Sequence, residues 1–373
     1  MYIVERLIGV FTYVLIMFLM TFLIYKSDTR KLKKYLRIYL IILFVLAFIY
    51  IPPTSADLYR YIISAKTYSS YTISELLNVL LNARTPMQVL YFYVLGKTGI
   101  DGLIPAVSAL IFYGCSFSIL YKAARRYKLS NKSIAISLLF FMEMGGFLSA
   151  ISIIRTSVSF AIIAYCCYNE LIENKSFLKH LPWYIFAALM HPAAMAMVIF
   201  RIVTILLKKE KKLSKRLFNY LVVAVILIFV ILNGNYYIDY IFEKADIYIN
   251  GEVYSYIWEY IISTIYLLFS TFTIFKFKQI FTNNVEIENY TNFIIFINFI
   301  LVVLCFEYSI FTRVQLFSSI LFLPMFSIIL NQLEKQNKHV KIFTFIFIIA
   351  SALIFVIACT RGNLCGYKFL IFS

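Results

Sequence analysis

The sequence has little charge for its length and lacks the motifs that bind nucleotides or structural metals. Only 14% of its 373 residues are charged, and 18 acidic residues stand against 35 basic ones. It contains no GxxxxGK[ST] loop, no GxGxxG after a strand, no metal-spaced Cys/His cluster and no DxD pair. The pattern therefore gives no support for ATP hydrolysis, a nucleotide cofactor, a nucleotide-sugar substrate or zinc, and it predicts neither cofactor nor metal.

Long apolar runs are what the sequence has in abundance. Hydrophobic residues make up 62% of the chain, and its mean hydropathy is +0.85. Each run of this kind can cross a hydrocarbon core of roughly 30 Å as a helix. The formal charge of +17 lies mostly in loops, as orientation and anionic headgroups require, so it indicates contact with membrane lipid and not with nucleic acid. We predict an all-α polytopic membrane protein forming a single domain over residues 1–373.

The apolar runs predict about twelve transmembrane or half-membrane helices. Two of the runs are too short to cross a bilayer unaided. The first has no small-residue cleavage site and is interpreted as a retained span. The runs are 7–25, 38–51, 103–121, 134–150, 153–169, 181–191, 192–207, 217–234, 258–275, 291–310, 314–332 and 342–359.

Blocks of Lys and Arg between the runs predict the orientation. The strongest are Lys26–Arg37, Lys122–Lys132 and Lys208–Arg216, which should lie in the cytoplasm. Counting spans from these blocks places both termini outside the cytoplasm. It also places two long loops there, residues 52–102 and the tyrosine-rich residues 235–257.

The first outer loop carries signals for short helices. Asp57, Arg60 and Tyr61 recur at helical spacing, and Thr72 with Glu75 forms a capping-box pattern that begins a second helix. The apolar stretch 88–95 is too short to span and is predicted to be re-entrant or interfacial. We therefore expect this loop to lie along the membrane surface.

Three basic residues fall at breaks between apolar runs on the predicted outer side. Arg155, His191 and Arg313 are placed where cations are least expected, which indicates a site for an anion. Pro192 follows His191 and disfavours helix at the residue before it. Residues 181–207 are thus predicted to form two short helices meeting at His191, the alternative being one kinked helix with a core histidine. At the predicted outer C-terminus, Cys359 and Cys365 could form a disulfide.

Four stretches together resemble a known family. They are SADLYRYIISAKTY (55–68), the long stretch from IIRTSVSF to MAMVIF (153–200), FTRVQLFSSILFLP (311–324) and GYKFLIF (366–372). In this order they resemble EpsG-type, Wzy-like polysaccharide polymerases. The resemblance implies a fold like that of the membrane-embedded glycosyltransferases of type GT-C.

The resemblance also implies an activity. Such enzymes join polyprenyl-diphosphate-linked oligosaccharide repeat units at the outer face of the bacterial cytoplasmic membrane, making capsular polysaccharide, exopolysaccharide or O-antigen. A flippase and a chain-length regulator are possible partners. Two other functions stay open: a flippase or exporter of lipid-linked saccharide, and a membrane acyltransferase acting on extracellular sugars.

The predicted site residues follow from this chemistry. Arg155 and Arg313 would bind the diphosphate, because the planar guanidinium group matches phosphate oxygens. Arg60 would be a third phosphate contact or only the i+3 partner of Asp57. The candidates for accepting the proton of the attacking hydroxyl are Asp57, His191 and Glu307. Alternatively, His191 would hydrogen-bond phosphate, and Glu307, with Glu143, would be a counter-charge to the arginines.

Overall fold

The computed structural model of the protein describes residues 2–144, 146–206, 257–281, 285–305 and 308–336. These ranges are helical and contain no β-strand. The predicted spans 217–234 and 342–359, the loop up to residue 256, Glu307, Cys359 and Cys365 lie outside them. The helices are α1 (Tyr2–Lys26), α2 (Leu32–Phe48), α3 (Asp57–Ser69), α4 (Ile73–Asn82), α5 (Pro86–Gly96), α6 (Leu103–Tyr127), α7 (Asn131–Met144), α8 (Phe147–Ser152), α9 (Ile154–Leu171), α10 (Phe177–Met190), α11 (Pro192–Leu206), α12 (Ile257–Ile280), α13 (Val285–Leu304) and α14 (Tyr308–Lys335).

Within the described ranges, four helices are long and apolar enough to cross a membrane. They are Ile8–Lys26, Leu103–Tyr127, Ile287–Leu304 and Ile310–Lys335. An all-helical chain with several such helices is a multi-pass membrane protein, as predicted. The count of about twelve crossing or half-crossing segments and the likeness to GT-C enzymes stay predictions.

Two helices, α9 and α14, form the centre of the bundle. Every residue of α9 except Arg155 and Tyr165 is buried, and the apolar stretch of α14 is wholly enclosed by the rest of the protein. The two helices touch through Phe160 and Phe317, whose ring centroids are 5.0 Å apart. Helices α6, α7, α10, α11, α12 and α13 surround this pair.

The predicted break at His191 is present, and the stretch forms two helices. Helix α10 ends at Met190, His191 is extended with φ −152° and ψ 134°, and α11 begins at Pro192. With 14 and 15 residues, the two helices are about 21 and 22 Å long, since each residue adds about 1.5 Å. Each is shorter than a hydrocarbon core of roughly 30 Å.

The predicted span 134–150 is wrong, because the chain breaks near its end. Helix α7 ends at Met144, and the short helix α8 then leads into α9. Gly146, between α7 and α8, has φ +37°, a value that residues with a Cβ rarely adopt. A second break at Ile153, between α8 and α9, comes two residues before Arg155.

Residues 52–102, the predicted first outer loop, fold into three short helices, α3, α4 and α5, of which helical spacing predicted α3 and the capping box predicted α4. Thr72 and Glu75 form the predicted capping box, and the hydrogen bond from the Thr72 backbone lowers the pKa of the Glu75 carboxyl. Helix α4 exposes Ile73, Leu77 and Leu81 along one face. The stretch 88–95 lies within α5, which packs on α3. The location of these helices at the membrane surface stays a prediction.

Replacing Gly96 by alanine should separate α5 from α3. A Cβ at this position would collide with the backbone carbonyl oxygen of Ala65 in α3. We expect Gly96→Ala to lower the free energy of unfolding by about 1 to 3 kcal/mol, as overpacking does, and to lower the melting temperature in detergent. The control is Gly114→Ala in α6, where the nearest atom is Leu40 Cδ2 at 3.9 Å. Equal melting temperatures for the two variants would contradict the close α3–α5 contact.

Candidate functional site

Arg155, the second residue of α9, is held by α3 and α5. Its Nε donates to Tyr61 Oη of α3 at 3.1 Å, and its NH1 donates to Gln88 Oε1 of α5 at 3.0 Å. The guanidinium carbon also lies 5.4 Å from the centroid of the Tyr61 ring. These bonds use two of the five N–H groups of the side chain. The rest remain available to a ligand, since no further partner occurs among the described residues.

His191 is buried beside Arg155, with both ring nitrogens engaged. The backbone N–H of Ala193 donates to Nδ1 at 3.2 Å, and Nε2 lies 3.3 Å from Oγ1 of Thr156. Because Nδ1 accepts a hydrogen bond, we assign the ring as neutral with its proton on Nε2. In this tautomer Nε2 donates to Thr156, so His191 presents a donor on this side and no free lone pair.

Arg313 lies at the same end of the bundle as Arg155 and His191. Both guanidinium charges are close enough to act electrostatically on the His191 ring. Arg155 and Arg313 precede the touching rings Phe160 and Phe317 by five and four residues, or about 7.5 and 6 Å of helix. The two arginines therefore lie at nearly the same depth.

The remaining predicted site residues are placed differently. Asp57 and Arg60 form an ion pair along α3, with the Arg60 side chain 70% exposed and that of Asp57 25% exposed. Tyr61, which holds Arg155, follows Asp57 by one helical turn, so Asp57 borders the site. The Arg60 side chain is directed to Asp57, three residues before it. Glu307 lies outside the described residues.

The role of Glu143 or Glu307 as a counter-charge to the arginines stays a prediction. Neither Arg155 nor Arg313 forms an ion pair with a carboxylate within the described part of the chain. Glu143 is half-buried near the end of α7. In the same ranges, no three His, Cys, Asp or Glu side chains lie close enough together to hold a metal ion.

Sequence reasoning missed a second ionisable cluster on the same helices. Arg201 Nε of α11 donates to Glu170 Oε2 of α9 at 3.0 Å, and His180 Nδ1 of α10 lies 4.0 Å from Glu170 Oε1. All three residues are buried. A signal existed, since an arginine in the otherwise apolar run 192–207 requires a buried partner.

The cluster of Arg155, His191 and Arg313 is suited to binding an anion. Helices α9 and α11 begin beside Arg155 and His191, and helix N-termini favour negative charge. Two arginines without carboxylate partners in the described ranges add formal positive charge, and the planar guanidinium group suits phosphate oxygens. The arrangement can therefore hold a phosphate or diphosphate group beside the neutral His191 ring.

Comparison with known families adds to this geometry. The profile of the EpsG family matches residues 53–370, which is most of the chain. The chain belongs to the EpsG family. No curated protein and no solved structure shows a significant match. Three of the four stretches that predicted the resemblance lie wholly within the matched region, and the fourth overlaps its end.

Membership of the EpsG family indicates a polysaccharide polymerase-type function in a multi-pass membrane protein. The match begins just before α3 and includes every described helix that contributes to the site: α3, α5, α9, α10, α11 and α14. The cluster of Arg155, His191 and Arg313 therefore lies inside the region that the family profile matches.

Proposed function

We propose that this protein polymerises polyprenyl-diphosphate-linked oligosaccharide repeat units at the outer face of the bacterial cytoplasmic membrane. The product is capsular polysaccharide, exopolysaccharide or O-antigen. One observation carries the proposal: Arg155 and Arg313 form no ion pair with a carboxylate among the described residues, and they lie at the same end of the bundle as His191. A diphosphate leaving group supplies the negative charge that this arrangement fits.

The reaction transfers a growing saccharide from its lipid carrier to the next repeat unit. A hydroxyl oxygen of the incoming unit forms a bond to the anomeric carbon of the growing chain. The bond from that carbon to the diphosphate oxygen breaks, and its electron pair stays on the leaving polyprenyl diphosphate. The hydroxyl proton passes to a base. Negative charge thus grows on the diphosphate in the transition state, where fixed cations stabilise it most effectively.

Arg155 and Arg313 bind the diphosphate in this scheme. Tyr61 and Gln88 hold the guanidinium group of Arg155 before substrate arrives, so little side-chain freedom is lost on binding. Removing one such fixed donor from a site where charge develops typically lowers kcat by about 100- to 1000-fold. The arginines therefore stabilise the leaving group, and the carbohydrate contributes the reacting hydroxyl.

When substrate binds, the Nε2–H of His191 exchanges its contact with Thr156 for a hydrogen bond to phosphate, and Asp57 accepts the proton. The contact from the Ala193 N–H occupies Nδ1 of His191, so the ring has no free lone pair for a proton. The Asp57 carboxylate is paired with Arg60 on the same helix. Arg60 then acts through Asp57 and does not contact phosphate. Glu307 is the other candidate for the base.

The distribution of charge supports chemistry at one face over transport. A flippase for an anionic lipid requires available cations along a path through the protein. At the other end of α9 and α11, however, Glu170 neutralises Arg201. The available cations Arg155 and Arg313 share one end of the bundle.

Purified protein in vesicles, supplied only with a synthetic polyprenyl-diphosphate-linked oligosaccharide, tests the proposal. We expect a ladder of longer saccharides with release of polyprenyl diphosphate in proportion to the bonds formed. Vesicles without the protein, and vesicles given the oligosaccharide without its lipid, are the controls. Movement of the lipid-linked saccharide across the vesicle without a ladder would indicate a flippase and contradict the polymerase.

Two replacements of His191 separate a hydrogen-bond donor from a base. His191→Phe keeps a ring without a donor, and we expect kcat/KM to fall by about 10- to 100-fold, as for a lost hydrogen bond to a charged group. His191→Gln keeps an N–H donor and should lose less than about tenfold. The rate of ladder formation at limiting substrate measures both. Equal losses above about 100-fold would instead identify His191 as the base.

A further inference from the structure

The buried cluster of Glu170, His180 and Arg201 lies at the opposite end of α9, α10 and α11 from His191. Thr156, which contacts His191, is 14 residues before Glu170 on α9, a separation of about 21 Å along the helix. The cluster is therefore too far from Arg155 and His191 to contact the same diphosphate.

We propose that the Glu170–Arg201 ion pair positions His191 by fixing the register of α11 against α9. This role rests on the function proposed above, because it concerns the same site. The pair is a positioning element and touches no substrate.

The distances along the two helices agree with this role. From Thr156 to Glu170, α9 advances about 21 Å, while from His191 to Arg201, α11 advances about 15 Å. Glu170 therefore lies about 6 Å further along the bundle than the backbone of Arg201, a distance close to the reach of an arginine side chain. Helices α9 and α11 are therefore joined near both ends, by Thr156–His191 and by Glu170–Arg201, and two attachments prevent sliding or rotation that one would allow.

The break before α11 makes such an attachment necessary. Pro192 has no N–H, the Ala193 N–H bonds to the His191 ring, and the Ala194 N–H bonds to the His191 carbonyl oxygen. None of these three residues thus donates a backbone hydrogen bond to α10. The direction of α11 depends on side-chain packing and on the one ion pair that it forms in the described ranges.

The ion pair is costly to bury, which favours a geometric role over simple stabilisation. Taking two charges out of water carries a desolvation penalty that their attraction repays only in good geometry. Here Arg201 also donates from NH1 to Thr204 at 3.2 Å, and His180 Nδ1 donates to the Ser176 carbonyl oxygen at 3.1 Å while facing Glu170. The start of α10 and the second half of α11 therefore meet the same carboxylate of α9.

Variants of the full-length protein in detergent or nanodiscs test the proposal. Glu170→Gln and Arg201→Met remove one charge each, and the exchanged pair Glu170→Arg with Arg201→Glu restores opposite charges. Arg201→Lys is the milder variant if the others fold poorly. Hydrogen exchange is measured at the Ala193 amide, which His191 holds, and kcat and KM are measured from ladder formation.

We expect the single variants to speed exchange at Ala193 by about tenfold or more. They should lower kcat by about tenfold, since small misplacement of a site group lowers rate steeply, while KM changes less than about twofold. The exchanged pair and Arg201→Lys should recover part of both effects.

As the matched control, Asn298→Leu removes the buried contact of Asn298 with Ser270 between α13 and α12. It should lower the melting temperature without affecting Ala193 or kcat.

One result would overturn the proposal. If Glu170→Gln and Arg201→Met lower only the melting temperature, as Asn298→Leu does, the ion pair stabilises the fold and does not position His191. If the unaltered protein forms no ladder, the proposed function fails, whereas exchange at Ala193 still decides whether the pair fixes the His191 segment.

Discussion

Arg155→Ala is expected to lower kcat/KM for polymerisation by at least about 100-fold, the scale of losing one fixed donor to developing charge. The guanidinium group is fixed by Tyr61 and Gln88, and its other N–H groups have no hydrogen-bond partner among the described residues. Arg155→Lys should recover only part of this loss, because an ammonium group cannot match a diphosphate in the planar, two-pronged way of arginine. Initial rates of ladder formation, divided by the amount of folded protein, measure the effect.

Arg125→Ala is the matched control for Arg155→Ala. Arg125 is exposed in the last turn of α6, on the cytoplasmic side by the basic-loop pattern. Its removal subtracts the same charge from the protein and should leave polymerisation unchanged. If Arg155→Ala kept full activity in folded protein, Arg155 would have no part in the site.

Asp57→Asn is expected to lower kcat by about 100- to 10,000-fold, the usual range for a general base. The amide keeps the size of the side chain but does not accept the hydroxyl proton. KM for the lipid-linked oligosaccharide should change little, because Arg155 and Arg313 still bind its diphosphate. Initial rates over a range of substrate concentrations separate the two quantities.

Asp101→Asn is the control for Asp57→Asn. Asp101 pairs with Lys66 at 2.6 Å, so it too is an ion-paired carboxylate within residues 52–102. We expect this variant to keep full activity. If Asp57→Asn also kept its activity, the role of base would pass to Glu307 among the candidates named here.

The parts of the fold that depend on local chemistry could be predicted from the sequence. The break at His191 follows from the missing N–H of Pro192, and the start of α4 follows from the reciprocal hydrogen bonds of Thr72 and Glu75. The break at Gly146 was missed. Nothing in an apolar run tells whether a glycine will adopt positive φ, since tertiary packing decides this.

The candidate site could be predicted only in part, because its contacts are long-range. Arg155, His191 and Arg313 could be picked out because they are basic residues on the predicted outer side, where basic residues are normally rare. Which side chains hold Arg155 could not be predicted, since Tyr61 and Gln88 precede it by 94 and 67 residues. These partners depend on how α3 and α5 pack, and hydropathy carries no information on that.

The burial of α9 has a consequence for the biogenesis of the protein. This helix carries Arg155, Asn169 and Glu170 and is not among the four candidate membrane helices, and charged residues oppose insertion of an isolated helix from the translocon. Helix α14, which covers α9 in the finished bundle, begins 137 residues after the end of α9. During synthesis α9 must therefore be sheltered by earlier helices such as α6, or by the insertion machinery, until α14 is made. A chain truncated before Tyr308 would leave this polar helix partly uncovered and should be removed by membrane quality control.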